Sequence, residues 1–317
     1  MRTTDGLGSG GTAAARRPPS EPVYDAVALG MGAYARMAFR VEVLRRRGWR
    51  LRPGSLLVST HRAETDVPLL ASALYLGGRV WLHRRPRMHF AARDDLFERG
   101  FFAGFLPRLG PRGRRALAPL SAGGLLPLIR AHPIGSATSL SLGRALAALP
   151  AEARLGPDLL PDAALGALAG RAAELRRPAP RTVVEARRGE YADVLWRRYD
   201  RSELAAPALD AVWRRRMAEA TGQLRWLVEL MRAGEPLVLF PEGSPSPDGA
   251  IGPLRPGLGA LVRRGAPATI QPLAIAYDRL RPGRPRAWVA FGAPLAPPAA
   301  DVETAVLRAL RHATPLT

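Results

Sequence analysis

The chain has 317 residues, of which 47% are hydrophobic and 23% are charged. This length and apolar fraction suffice for a large buried core, so they exclude wholesale disorder and fit one large α/β domain or two small domains. The chain contains no cysteine, which excludes disulfide scaffolds, thiolate zinc sites, iron–sulfur clusters and a cysteine nucleophile.

The formal net charge is +20, because 47 basic residues stand against 27 acidic ones, and every basic residue is arginine. Exclusive use of arginine, with abundant alanine, glycine, proline and leucine, is typical of a GC-rich coding sequence. The charge alone therefore does not indicate a nucleic-acid partner, although such a surface attracts phosphates and membrane headgroups. A nucleic-acid-binding protein is the competing interpretation, but no helix-turn-helix, zinc finger or aromatic-interleaved basic motif supports it.

Residues 1–20 are rich in glycine, threonine, serine and proline and lack the apolar core of a signal peptide, so they are predicted to be a disordered leader. The most apolar early stretch, 26–35, holds ten residues without a charge, and a helix needs about twenty to cross a bilayer. The sequence therefore predicts a cytoplasmic protein without a transmembrane span, able to rest peripherally on the inner face of the cell membrane.

The remaining elements alternate between strand and helix. Apolar runs bounded by turn residues predict strands at 55–59, 79–85, 87–93, 236–240, 269–277 and 286–292, one of the pair 79–85 and 87–93 being a connector in the alternative interpretation. Helical spacing predicts helices at 23–47 (one or two), 66–76, 254–265 and 301–313. A further apolar segment lies at 125–130.

Residues 140–232 carry alanine, leucine, arginine and glutamate at helical spacing, interrupted by prolines, and predict a helical insertion before the strand at 236–240. Trp196, Trp213 and Trp226 are predicted to pack its core, the alternative being insertion into a membrane interface. The whole pattern predicts an α/β fold: a mixed, mostly parallel sheet flanked by helices on both faces.

Two segments carry candidate chemistry. His61 follows a predicted strand, and Asp66 lies five residues later, so the two side chains meet only if the chain turns between strand and helix. A carboxylate on one ring nitrogen would leave the other nitrogen as a base; the alternative is a capping aspartate and a surface histidine. The second segment, 236–249, is an apolar strand that ends in Pro-Glu-Gly-Ser, which is also typical of an ordinary turn.

Together these segments resemble the glycerolipid acyltransferases, the lysophosphatidic-acid and glycerol-3-phosphate acyltransferase superfamily. The family's first block, Asn-His-x4-Asp, corresponds to 60–66, and its third block, Phe-Pro-Glu-Gly-Thr-Arg-Ser, corresponds to 240–246. The fourth block, an apolar strand around a proline, corresponds to 270–277. The second block is fainter, starting over 90–97 and ending in the strand Leu128-Ile129-Arg130. Departures are Thr60 for asparagine, Ala63 for serine and Pro245 for arginine.

The resemblance implies that residues 21–317 form an acyltransferase domain that moves an acyl group from acyl-CoA or an acyl carrier protein to a lipid hydroxyl. It implies that His61 is the general base and Asp66 its orienting partner, with no metal and no cofactor beyond the acyl-thioester co-substrate. It also implies an acceptor site for a lysophospholipid or glycerol phosphate, formed by Glu242, Gly243 and Ser244, with Arg130 and, as a weaker candidate, Arg93 on the phosphate. The alternatives are another lipid or sugar alcohol as acceptor, or a non-catalytic lipid-binding module.

Overall fold

A computed structural model describes residues 21–45, 51–63, 65–76, 87–97, 126–246, 250–278, 283–297 and 301–314. The predicted leader over 1–20 and the candidate strand over 79–85 lie outside the described residues.

The helices and strands have the following bounds. The helices are α1 (Glu21–Ala38), α2 (Asp66–Ala71), α3 (Leu142–Ala147), α4 (Asp162–Glu174), α5 (Val183–Ala186), α6 (Ala192–Leu195), α7 (Asp210–Arg232), α8 (Gly257–Gly265) and α9 (Val302–Ala313). A π-helical turn, Ser72–Leu76, continues α2. The strands are β1 (Arg40–Leu44), β2 (Ser55–Ser59), β3 (His89–Arg93), β4 (Ala131–Ile134), β5 (Ser139–Ser141), β6 (Arg198–Asp200), β7 (Leu237–Leu239), β8 (Thr269–Asp278) and β9 (Arg286–Phe291).

The main sheet of the described residues has seven strands in the order β1-β9-β8-β2-β7-β3-β4. Its neighbouring strands run parallel except for the antiparallel pair β8 and β9. This arrangement confirms the predicted fold class, a mixed, mostly parallel sheet. Parallel strands need cover on both faces, which explains why β2 is buried along its whole length.

Successive side chains of the strands enter different cores, because they point to opposite faces of the sheet. Leu57 packs in the core that contains residues of α1 and α2. Its neighbours Leu56 and Val58 pack in the core that contains residues of α7, α8 and α9. The helices therefore lie on both faces, as predicted.

The predicted insertion is helical and encloses a hydrophobic core of its own, drawn from 140–213. It also contains the two-stranded antiparallel sheet of β5 and β6, which the helical spacing did not predict. Trp213 lies in this core, 1% exposed, whereas Trp226 is 43% exposed, so the core-packing prediction is correct for the first and wrong for the second. Helix α7 joins the two cores, because Trp213 packs in the insertion and Leu227 and Met231 pack against the sheet.

Two predicted elements differ from the structure. The helix predicted over 23–47 ends at Ala38, and β1 follows at once, pairing with β9 at the edge of the sheet. The segment Leu128-Ile129-Arg130 is not a strand: Leu126–Ile129 is a 3₁₀ turn. Arg130 has a φ of 53°, in the left-handed region, which ends the turn before β4 begins.

Candidate active site

The carboxyl ends of parallel strands meet at one edge of the sheet, and the candidate site lies at this edge. His61 comes two residues after β2, and Glu242 comes three residues after the neighbouring strand β7. The turn after β2 leads into α2, which begins with Asp66. The fold thus brings the two candidate segments of the sequence together.

His61 and Asp66 are in direct contact. The Nδ1 atom of His61 lies 2.8 Å from Oδ2 of Asp66, and the Asp66 side chain is completely buried. The same oxygen accepts hydrogen bonds from the backbone N–H groups of Arg62, at 2.6 Å, and Ala63, at 3.1 Å. Asp66 therefore closes the turn between strand and helix, and this turn is what brings a histidine and an aspartate five residues apart face to face.

The second oxygen of Asp66 is held by a residue that the sequence analysis missed. The hydroxyl of Tyr277, near the end of β8, donates to Oδ1 at 2.6 Å and lies 2.8 Å from Oγ1 of Thr65. Tyr277 is 211 residues away along the chain, so only the pairing of β8 with β2 brings it here. In the sequence, only its position inside the proline-containing strand at 270–277 could have indicated that Tyr277 belongs to the site.

The contacts of the ring assign the two nitrogens of His61 different roles. A buried carboxylate with several donors is an acceptor, so Nδ1 carries the proton toward Asp66 and Nε2 is left with a lone pair. The ring packs on Phe240, with centroids 4.6 Å apart, and the side chain remains 14% exposed. Among the residues that the structure describes, Nε2 has no hydrogen-bond partner, and an oriented histidine with such a nitrogen can act as a general base.

The loop after β7 fixes the backbone of His61 on both sides. Glu242 is buried, and its Oε1 accepts a hydrogen bond from the His61 N–H at 2.9 Å while Oε2 accepts one from the Gly252 N–H at 3.1 Å. The N–H of Ser246 donates to the His61 carbonyl at 2.9 Å. Glu242 thus holds the loop against His61. The sequence analysis predicted that Glu242 binds the acceptor and did not predict that both of its carboxylate oxygens bond to the backbone.

An open cavity of about 680 Å³ lies along this loop. Its lining consists of Glu242, Ser244, Pro245, Ser246, Gly252, Pro253, Leu254, Arg255 and Pro256. Two of these residues, Glu242 and Ser246, also bond to the backbone of His61. Arg255 belongs to the lining although the sequence analysis did not select it.

The structure does not bring Arg130 to this site. Arg130 precedes β4 at the amino end of the parallel strands, where its guanidinium lies over the ring of Tyr24 and 3.9 Å from Glu235. His61 follows the carboxyl end of β2, so the two residues lie at opposite edges of the sheet. Arg93 ends β3 at the same edge as His61, two strands away. The sequence analysis preferred Arg130 to Arg93 as the residue that binds the phosphate. The structure instead places Arg93, and not Arg130, at the end of the strands where His61 lies.

Two further histidines form a pair at the amino ends of the parallel strands β3 and β4. The rings of His89 and His132 stack with centroids 5.0 Å apart, and Nδ1 of His89 lies 2.7 Å from Nε2 of His132. Burial, followed by the charges of His132 and Arg130, lowers the pKa of His89 to about 3. Burial and the positive charge of Arg130 lower the pKa of His132 to about 4. Both rings are thus neutral at neutral pH, and they belong to the structure of the sheet.

Thr60, which stands where the resembled family has asparagine, has a structural role. Thr60 is completely buried, and its Oγ1 accepts a hydrogen bond from the Ile275 N–H at 2.8 Å. The neighbouring Ser59 is also buried and donates to the Thr60 carbonyl at 3.0 Å, as expected for a structural serine. Thr60 thus ties the end of β2 to β8, while the bond of Ser59 is local, and His61 is the first reactive group after the strand.

Residues 202–276 match the family described as Acyltransferase. The match includes the Phe-Pro-Glu-Gly segment at 240–243 and most of β8, while His61 and Asp66 precede it. The matched segment is thus similar to acyltransferases, and it is less than half of the chain.

No curated protein matches the chain. Among solved structures, the crystal structure of the 1-acyl-sn-glycerophosphate (LPA) acyltransferase PlsC from Thermotoga maritima is similar, with a TM-score of 0.46 and 11% sequence identity. The alignment covers 92% of this chain and 80% of that chain. Across the described ranges, no helix is both long and apolar enough to span a membrane. Within the same ranges, no three histidine, aspartate or glutamate side chains are grouped to hold a metal ion.

Proposed function

We propose that the protein is an O-acyltransferase that moves a fatty acyl group from acyl-CoA or an acyl carrier protein to a hydroxyl of a lysophospholipid or glycerol phosphate. The observation that carries the proposal is the 2.8 Å contact between His61 and a fully buried Asp66 beside an open cavity. The family match to the loop that lines this cavity supports the same reaction class.

The chemistry needs a base because a hydroxyl is a poor nucleophile near neutral pH. Nε2 of His61 takes the proton of the acceptor hydroxyl as its oxygen attacks the thioester carbonyl. Asp66 stabilises the imidazolium that forms, through the hydrogen bond at Nδ1. The tetrahedral intermediate then breaks its carbon–sulfur bond, and the proton passes from His61 to the departing thiolate, which leaves an ester and a free thiol. The thioester is already activated, so the step needs no covalent enzyme intermediate.

Thiol release measured together with ester formation tests the proposal. The protein is incubated with acyl-CoA or acyl carrier protein and a panel of acceptors: lysophosphatidic acid, glycerol 3-phosphate, monoacylglycerol and a sugar. Since the chain contains no cysteine, every thiol detected comes from the donor. We expect acceptor-dependent thiol release and an ester product in the mass spectrum. A protein that binds lipid but forms no ester with any acceptor would be a binding module.

Peripheral contact with an anionic membrane is part of the proposal, and α1 supplies the surface. Val23, Tyr34 and Met37 are exposed by 41%, 49% and 71%. At 100° per residue these three positions fall on one outward face of the helix. An apolar outer face on a protein of net charge +20 suits an anionic lipid surface, because apolar insertion and charge attraction act together.

Replacing Tyr34 and Met37 by aspartate is predicted to weaken binding to anionic vesicles, because it removes the apolar face and adds two negative charges. Sedimentation with phosphatidylglycerol vesicles at low salt measures the bound fraction. The matched control is Met217→Asp, at a methionine of α7 that is 45% exposed. Equal sedimentation of the α1 variant and the control would remove α1 as the contact surface.

A further inference from the structure

Arg62, the residue after His61, is a buried cation, with only 7% of the residue exposed. The Nη1 atom of its guanidinium donates to the Ala250 carbonyl at 2.6 Å, whereas Nη2 is buried without a hydrogen-bond partner. Among the residues that the structure describes, no carboxylate forms an ion pair with this guanidinium. A buried charge without a partner costs free energy, so stability alone does not account for an arginine at this position.

The carbonyl that the guanidinium binds belongs to the loop after β7, which holds His61. The Ser246 hydroxyl donates to the same Ala250 carbonyl at 2.8 Å, and the Ser246 N–H donates to the His61 carbonyl. Two residues after Ala250, the Gly252 N–H donates to Glu242, whose other oxygen accepts the His61 N–H. The guanidinium therefore bonds to the loop between the contacts that fix the backbone of His61.

The backbone of Arg62 contacts the other partner of the histidine. Its N–H donates to Oδ2 of Asp66 at 2.6 Å, the same oxygen that lies 2.8 Å from Nδ1 of His61. Within the described part of the chain, Arg62 does not line the cavity. One residue thus connects Asp66 to the loop after β7, and it does so from behind the histidine rather than from the substrate side.

We propose that Arg62 is a positioning residue for acyl transfer, because its guanidinium holds the Ala250 carbonyl and so keeps the loop after β7 against the backbone of His61. A residue that acts through the placement of a base is expected to affect kcat more than KM. Its effect on rate rests on the proposed acyl transfer, whereas its effect on the loop does not.

The test compares Arg62→Met and Arg62→Lys with the wild-type protein, using acyl-CoA and lysophosphatidic acid. Arg62→Met is expected to lower kcat by about tenfold, the effect of losing a hydrogen bond from a charged group, and to leave both KM values unchanged. Since only Nη1 of the guanidinium is bonded, lysine can supply the same single donor, and Arg62→Lys is expected to recover most of the rate. The control is Arg264→Met, at an exposed arginine near the end of α8.

Urea denaturation of the same variants separates a positioning role from a structural one. Because the cation is buried without an ion pair, Arg62→Met is expected to have an unfolding midpoint equal to or above that of the wild type. A lower midpoint with a wild-type kcat would show that Arg62 has a structural role only. A raised KM with an unchanged kcat would show that Arg62 contacts a substrate, and either result would overturn the proposal.

Amide hydrogen exchange gives a readout that does not depend on turnover. The N–H groups of Ser246 and Gly252 are hydrogen-bonded in the loop, so their exchange reports how firmly the loop is held. Arg62→Met is expected to speed their exchange by about tenfold, with no change in α4. Equal exchange in the variant and the wild type would contradict the proposal. If exchange changes as expected but the wild type acylates no acceptor, the proposed reaction fails while the hold of Arg62 on the loop stands.

Discussion

Asp66 determines the geometry at the scale of the single residue. Its two oxygens accept hydrogen bonds from the His61 ring, two backbone N–H groups and the hydroxyl of Tyr277. A buried carboxylate is costly unless such donors surround it. Each hydrogen bond that Asp66 accepts also restricts the position of its carboxylate. The orientation of the His61 ring therefore depends on all of these hydrogen bonds.

Tyr277→Phe is predicted to lower kcat by about tenfold with little change in KM, because it releases one oxygen of Asp66 without touching the substrate. Tyr277 is on this view a positioning residue, so the split between kcat and KM is the decisive readout. The control is Tyr34→Phe, at an exposed tyrosine of α1. An unchanged kcat in Tyr277→Phe would show that the backbone donors alone orient Asp66.

The same residues show how much of the site could be predicted from the sequence. The His61–Asp66 contact is local, since both residues flank one turn, and its pattern was therefore readable. The contact of Tyr277 with Asp66 spans 211 residues and depends on strand register, which no local pattern records. Arg130 was misplaced for a different reason: Leu128-Ile129-Arg130 was interpreted as a strand that ends in the arginine, whereas the strand begins only at Ala131.

At the scale of elements, a buried ion cluster joins the end of β3 to the insertion. Asp94 is 6% exposed and pairs with Arg216 of α7, with Arg144 of α3 at 2.5 Å and with Arg198 of β6 at 3.9 Å. Burial opposes the ionisation of Asp94, but the hydrogen bond and charge of Arg216, with the other two arginines, lower its pKa below the usual value. The insertion is thus anchored at the edge of the sheet that carries His61.

Asp94→Asn is predicted to reduce the free energy of unfolding by about 3–5 kcal/mol, because it leaves the buried Arg216 guanidinium without its counter-charge. Since the pKa of Asp94 is lowered by folding, its contribution is present above the unfolded value, near 4, and is lost as the pH falls below it. Urea denaturation at pH 7 measures the difference. The exposed Asp158→Asn is the matched control, and equal midpoints for the two variants would contradict an anchoring role.

At the scale of the whole molecule, the His89–His132 pair makes the stability of the sheet depend on pH. The pair joins β3 to β4, with Trp226 of α7 donating to His132 at 3.2 Å and Glu235 lying 3.6 Å from His89. Both histidines have a pKa far below the unfolded value near 6.5, so the unfolded chain binds their protons more readily. The free energy of unfolding is therefore not reduced by these two histidines above pH 6.5, and it declines as the pH falls toward 4.

Replacing both histidines by glutamine is predicted to flatten this decline, since each proton taken up on unfolding contributes about 1.4 kcal/mol per pH unit. The free energy of unfolding is measured from pH 7 to pH 4.5, and the comparison is between slopes, because the double variant also loses packing. His312→Gln, at an exposed histidine of α9, is the control and keeps the wild-type slope. A double variant with an unchanged slope would show that other groups cause the decline.

The general architecture was predictable because alternating apolar runs and helical patterns are typical of an α/β sheet covered on both faces. The strand order and the antiparallel pair of β8 and β9 were not, since they arise from tertiary packing. β1 was missed for a physical reason: it follows α1 after one residue, and its half-buried edge position gives a weak apolar pattern.

The measurement that tests the account most directly is acyl transfer by His61→Ala, monitored as thiol release and as ester in the mass spectrum. The variant is predicted to keep the wild-type fold by circular dichroism and to lose about 10²–10⁴ in rate, the usual contribution of a general base. His312→Ala, the parallel control, is predicted to retain wild-type rates. A folded His61→Ala protein that transfers acyl groups as fast as the wild type would contradict the assignment of this histidine as the base.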